Sequence, residues 1–330
     1  MAERKAWIDQ ARGLSIFMVV YGHNFPVIEP YIYSFHVPLF FFIAGMFHPK
    51  EVNFSVIKRR AKMILVPYFV WAFLLFGFWL AVGKNYGKTS ELDLSPIDNF
   101  IGIFYAQGGQ EYMSWGIPLW FLPCVFILFL LASAIKKIGR VWLQNTVSLI
   151  AIILGFVWPQ LTGIHLPWSV DVAMVALAFY LSGGLLKKAL FGIEKTKLYL
   201  AIITMFIIHF VSYYFNTGKV DMYRSIYANE GLFLISGLTG SIFYILLFKA
   251  IPVFKFLGYI GRHTIVILAT HIRTLTVIKL AFYLVLGTTV FTFTEMEKFI
   301  LAIAQVVLII PIIWVVGKYA PILDGKVSKS

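Results

Sequence analysis

Apolar residues run through this chain in blocks of about twenty, and little that is polar separates one block from the next. A helix rises 1.5 Å per residue, so about 20 apolar residues cross the hydrocarbon core of a bilayer. The blocks predict ten membrane-crossing helices, near residues 11–28, 32–48, 63–83, 117–135, 141–158, 169–186, 198–215, 231–249, 263–286 and 296–317. Only Glu29, Pro30 and Tyr31 separate the first two, which predicts a tight hairpin. The longest polar break runs from Lys84 to Gly116 and contains Glu91, Asp93, Asp98, Glu111 and an amphipathic stretch at 97–105. It reads either as a lip over an external substrate or as a plain connector.

Composition narrows the class. Hydrophobic residues make up 60% of the chain and charged residues 13%, against roughly 45–50% and 25% in soluble domains. A soluble core could not hide so much apolar surface, so the excess faces lipid. No long polar block interrupts the pattern, and residues 1–330 read as a single membrane-embedded, all-α domain. The N-terminal apolar stretch carries Arg12 and His23 at its ends and no small-residue cleavage site, so it reads as a retained span rather than a signal peptide. The single cysteine, Cys124, sits inside an apolar run, allows no intramolecular disulfide and reads as inert.

The net charge of +13 would suit a nucleic-acid partner if it formed a patch. Instead the basic residues fall in short clusters between apolar runs. With the N-terminus inside, 21 of the 28 lie on the inner side: Arg4 to Arg12, Lys50 to Lys62, Lys136 to Arg140, Lys187 to Lys197, Lys249 to Arg262 and Lys318 to Lys329. Five lie outside, at Lys84, Lys88, Lys219, Arg224 and Lys298. This asymmetry predicts that both termini are cytoplasmic. It also argues for an even number of spans and against nucleic acid as a partner.

Ionisable groups within the bilayer cost on the order of 2.5–3.5 kcal/mol at its centre, so each is a functional candidate. The first span carries Asp9, Arg12 and His23. Arg12 and His23 are eleven residues apart, close to three helical turns, so their side chains share a face with Ile16 and Val19 between them. Asp9 lies one turn before Arg12 and can pair with it. The hairpin brings His36 of the second span toward His23. A histidine near its ordinary pKa can take the proton of an attacking hydroxyl. The basic run Lys58, Arg59, Arg60 and Lys62 serves as a topology signal and could also grip phosphates. The ninth span concentrates His271, Arg273 and Lys279, with His263 two turns before His271. His48, His165 and His209 read as interfacial. No spacing suggests a bound metal, and no P-loop, dinucleotide-binding motif or GxSxG motif occurs.

The segment Trp7-Ile8-Asp9-Gln10-Ala11-Arg12-Gly13-Leu14, with Val19-Val20-Tyr21-Gly22-His23 after it, resembles the opening signature of the type 3 membrane acyltransferases. So does Ser34-Phe35-His36-Val37-Pro38-Leu39, continuing through Gly45. Lys58-Arg59-Arg60 before Pro67-Tyr68, Leu119-Trp120-Phe121-Leu122, and Gly261-Arg262-His263-Thr264 before His271 extend the resemblance, in order, over nearly the whole chain. The chain is most similar to the short polysaccharide O-acetyltransferases of the fucose-acetylase and enterobacterial-antigen kind, which lack the esterase-like domain of some members. The resemblance implies acetyl-coenzyme A as a cytoplasmic donor and a sugar hydroxyl of a surface polysaccharide or lipid-linked saccharide as an external acceptor. It also implies residence in the cytoplasmic membrane of a bacterium. His23 is then the base, Arg12 its partner, and His36 and Asp9 supporting groups. Lys58, Arg59, Arg60 and Lys62 would face the coenzyme, and His271, Arg273, Trp120 and Tyr68 would line the cavity. The alternative is a transporter of an anionic solute, with the Arg and His residues as its relay.

Overall fold

The computed structural model describes residues 5–85, 92–287 and 291–326. The charges counted above at Arg4, Lys88, Glu91 and Lys329 lie outside the described residues. Thirteen α-helices and no strand are present among those described: α1 (Ala6–Gly22), α2 (Glu29–Met46), α3 (Phe54–Ala81), α4 (Pro96–Tyr105), α5 (Gln110–Met113), α6 (Phe121–Lys136), α7 (Val141–Thr162), α8 (Val170–Gly192), α9 (Lys195–Phe215), α10 (Glu230–Ala250), α11 (Lys255–Gly261), α12 (Thr264–Leu286) and α13 (Glu295–Tyr319).

Eight helices are long and apolar enough to cross a membrane: α3, α6, α7, α8, α9, α10, α12 and α13. The other two expected spans correspond to α1, at 17 residues, and α2, which holds Glu29, His36 and Pro38. Helices α7 and α9 leave Leu149, Ile153, Leu161, Leu200, Ile203 and Phe215 exposed. Such stripes would drive aggregation in water and are matched to hydrocarbon. The chain is an all-α, multi-pass membrane protein.

Helix ends move relative to the sequence expectation for local reasons. Helix α1 starts at Ala6, where Asp9 places a negative charge in the first turn. It stops at Gly22 because Phe25 is left-handed (φ 53) and Pro26 follows. Helix α3 starts at Phe54, nine residues before the apolar run. The Asn53 side chain accepts from the Val56 amide at 3.0 Å and caps it. The basic run is therefore the first turns of a helix, not a loop.

By contacts, the chain forms two compact units. One comprises the described residues of Met1–Phe40, Ile193–Phe215 and Ile235–Asp324; the other comprises those of Phe41–Gly192, Asn216–Leu234 and Gly325–Ser330.

In the first unit, α11 packs closely on α1 through two glycines. A Cβ at Gly13 would collide with the Leu257 carbonyl oxygen, and one at Gly261 with that of Asp9. The Gln10 side chain accepts the Phe254 amide at 2.6 Å, fixing the start of α11. This approach brings the segment after α11, from Arg262 to Thr264, to the polar end of α1.

In the second unit, the last turns of α2 meet α8 through Gly45 and Gly183, each against a backbone carbonyl of the other helix. The segment around α4 and α5 is ordered by Asn99. Its amide donates to the carbonyls of Ser95 and Glu111 and accepts from the Ser114 amide, at 2.8–3.1 Å. Ile97, Phe100, Ile101 and Phe104 leave α4 with an exposed apolar side, as an interfacial helix would have.

Candidate functional site

Helices α1 and α12 run in the same direction, with a polar contact at each end of their shared face. At the first, Arg12 Nη2 donates to Thr264 Oγ1 at 3.3 Å. At the second, the rings of His23 and His271 meet edge to face with centroids 4.9 Å apart. Ile16 and Val19 are buried between, so the stripe read from the eleven-residue spacing is the one that faces α12. Thr264 and His271 are seven residues apart, two turns, and so share the opposing stripe.

The ring nitrogens of His23 are inequivalent. Nδ1 lies 2.7 Å from the carbonyl oxygen of Val19, four residues earlier. A carbonyl supplies no proton, so Nδ1 carries the hydrogen and Nε2 keeps its lone pair. The same arrangement recurs at His36, whose Nδ1 meets the Ile32 carbonyl at 2.7 Å, and at His271, whose Nδ1 meets those of Ile267 and Leu268 at 3.0 and 2.9 Å. All three imidazoles are thus anchored on their own helices with Nε2 left as the acceptor. His36 and His271 both lie within electrostatic reach of His23. The three differ in access. His271 is fully buried, and its Nε2 has no hydrogen-bond partner among the described residues. His36 is buried against Tyr33, and its carbonyl accepts from Ser15 Oγ at 2.5 Å. Of the three, His23 lines the open cavity of about 380 Å³ that also includes Asn24, Lys279, Thr292, Phe293 and Lys298.

Two residues that the sequence reading passed over hold this region together. Gln305 of α13 donates to the His271 carbonyl at 2.9 Å, and its Oε1 accepts from Asn24 Nδ2 at 2.9 Å. Asn24 also donates to the Lys298 carbonyl at 3.1 Å. The signal was visible as a lone, fully buried amide in the middle of a 25-residue apolar helix.

The remaining expected site residues have the following surroundings. Asp9 is buried and reaches Arg262, Oδ2 to Nη1 4.0 Å, a partner that helical spacing cannot reveal. His263, beside Arg262, meets Asp324 at 2.7 Å in the 3-10 turn Pro321–Asp324. Arg273 is half-buried and two residues from His271, which turns it about 200° away from the stripe that faces His23. Lys279, eight residues after His271, lies about 80° round the helix from it and lines the cavity with His23.

Tyr68 and Trp120 belong to the second unit, whereas every residue lining the His23 cavity belongs to the first. Tyr68 is fully buried and donates to the Ile103 carbonyl at 2.7 Å, a bond that seats α4 rather than lining this cavity. Trp120 is buried at the start of α6 beside Gly108. The basic run also divides. Lys58, Arg59 and Lys62 are exposed, while Arg60 turns inward, donating to the Phe47 carbonyl at 3.3 Å and lying over the Phe129 ring. His48 contacts the Tyr180 hydroxyl at 2.8 Å. His209, expected at an interface, is fully buried inside α9 among Tyr31, Phe35 and Gly240.

Residues 5–318 match the family model described as an acyltransferase domain, of the type 3 class. The chain belongs to this family and is a membrane acyltransferase. No curated protein and no solved structure matches it.

Proposed function

We propose that this acyltransferase moves an acetyl group from acetyl-coenzyme A to a hydroxyl of a surface polysaccharide or lipid-linked saccharide, with His23 as general base. The observation that carries the reading is the locked His23 ring: Nδ1–H is held by the Val19 carbonyl, and the ring borders an open cavity. In the reaction, the acceptor hydroxyl oxygen attacks the thioester carbonyl while Nε2 takes its proton. The tetrahedral intermediate collapses, the C–S bond breaks, and the imidazolium returns the proton to the departing thiolate. Arg12, at the other end of the stripe, is a fixed cation directed at Thr264. We assign the donor's phosphates to the exposed cations Lys58, Arg59 and Lys62 at the start of α3, with Arg60 bracing the segment. The basic asymmetry favours a cytoplasmic-membrane protein with both termini inside and the His23 cavity opening outward.

The test is acetyl transfer from acetyl-coenzyme A by the purified protein in lipid nanodiscs. Wild type should bind the donor and acetylate a saccharide. His23→Ala should lose about 10²–10⁴-fold in turnover while inserting and purifying normally. Unchanged turnover in His23→Ala would sink the catalytic reading. An absence of donor binding by wild type, with solute uptake into vesicles, would favour the transport alternative.

A further inference from the structure

We infer that the acceptor is an anionic saccharide, and that Lys279 and Lys298 bind its negative group within the cavity that His23 borders. This rests on the acyl-transfer reading and adds the charge class of its acceptor.

The cavity wall contains two lysines and no carboxylate among its lining residues. Lys279 is the more telling. It lies on α12 about two turns before the helix ends at Leu286 and lines the cavity that His23 borders. Leu275, four residues before it, lines the same cavity, and Lys279 itself lies about 80° round α12 from His271. It stands about 12 Å beyond His271 along the helix, eight residues at 1.5 Å each. That is the span of a short saccharide with its reacting hydroxyl at His23 and its charge at the lysine.

Lys298 is held in position. Its Nζ donates to the Phe25 carbonyl at 2.9 Å and to Glu295 Oε1 at 2.6 Å. Glu295 is outside the lining, and its second oxygen accepts the Val27 amide at 2.8 Å. The glutamate therefore orients the ammonium, while Lys279, over the Phe291 ring, adds a second positive charge to the wall. Phe291 and Phe293, stacked at 6.2 Å, supply the flat apolar surface on which the C–H face of a sugar ring packs. Ammonium groups act on oxyanions as point charges, so phosphate and carboxylate both fit this chemistry.

The experiment compares three forms of each candidate sugar in the nanodisc transfer assay: the methyl glycoside, the 1-phosphate and the uronic acid. One of the charged forms should exceed the neutral form about tenfold in kcat/KM. Lys279→Gln should remove that preference through KM, and Lys279→Arg should retain it. Equal use of neutral and charged forms overturns the proposal while leaving acyl transfer standing. A second readout needs no turnover. Native Cys124 is fully buried, so Thr292→Cys supplies the accessible thiol on the cavity wall. Pyrophosphate and glucose 1-phosphate should protect it from a maleimide in the otherwise native protein and not in the Lys279→Gln background. Protection without transfer keeps the anion site and removes the proposed acetyl transfer to a saccharide; no protection removes the site.

Discussion

An imidazole bound through Nδ1 to a helix carbonyl has lost one of its two tautomers before any substrate arrives. At His23 the remaining nitrogen is the acceptor that base catalysis needs. His23→Gln should therefore fail to restore the activity lost in His23→Ala, because an amide can hydrogen-bond in place but cannot carry the proton. Turnover of His23→Gln near the wild-type rate would show that the ring acts by hydrogen bonding alone. Arg12 makes a directed contact to Thr264 through one arm of a planar fork, which a lysine does not reproduce. Arg12→Lys should lower turnover on the order of tenfold or more. If Arg12 and His23 act as one unit across the face of α12, the double variant should be little worse than the poorer single variant. Additive losses would separate their roles.

At the scale of elements, the packing of α11 on α1 determines where Arg12 can point. Gly13, the neighbour of Arg12, has no room for a side chain against Leu257. Gly13→Leu should destabilise by about 1–3 kcal/mol through overpacking and lower the melting temperature in detergent. Gly77 in α3 faces open space, with no atom within 4 Å of where a methyl would stand. Gly77→Ala should be neutral or stabilising by roughly 0.5–1 kcal/mol. Equal melting temperatures for both variants would remove the close α1–α11 approach as a constraint.

The same scale explains what could be read from the sequence. Apolar length marks spans well, and it located eight of these helices directly. It marks ends poorly, because charged residues such as Lys58 and Arg59 extend a helix as readily as they end a span. The Arg12–His23 stripe was legible because both partners lie on one helix with fixed periodicity. Thr264, His271 and Gln305 complete that stripe from positions more than 240 residues away, and no period links them to it. Gln305 could still have been noticed as a buried amide in hydrocarbon. Tyr68 and Trp120 pack in the second unit, a placement that nearness to a motif in the sequence does not reveal.

For the whole molecule, the basic asymmetry makes a direct forecast. Single cysteines replacing Lys136, Lys188 or Lys326 should react with an impermeant maleimide only after the membrane is opened, and one replacing Lys219 should react from outside in intact cells. Labelling of Lys188→Cys from outside would invert the map and with it the direction in which the His23 cavity opens. The donor assignment belongs to this scale too. Arg59→Ala combined with Arg60→Ala should weaken binding of acetyl-coenzyme A, most clearly at low salt where screening is least. Unchanged affinity would reduce that run to an orientation signal.

The two helices that carry His23, Arg12 and His36 are also the two of the expected ten that fall short in length or apolarity. This has a consequence for biosynthesis. As the chain leaves the ribosome, α1 and α2 are weak candidates for capture by the insertion machinery, and α3, with 28 residues, is the first strong one. The hairpin of α1 and α2 should therefore enter the bilayer late, drawn in once α3 is anchored. A reporter fused after position 50 should remain extractable by alkaline carbonate, and one fused after position 84 should be retained in the membrane pellet.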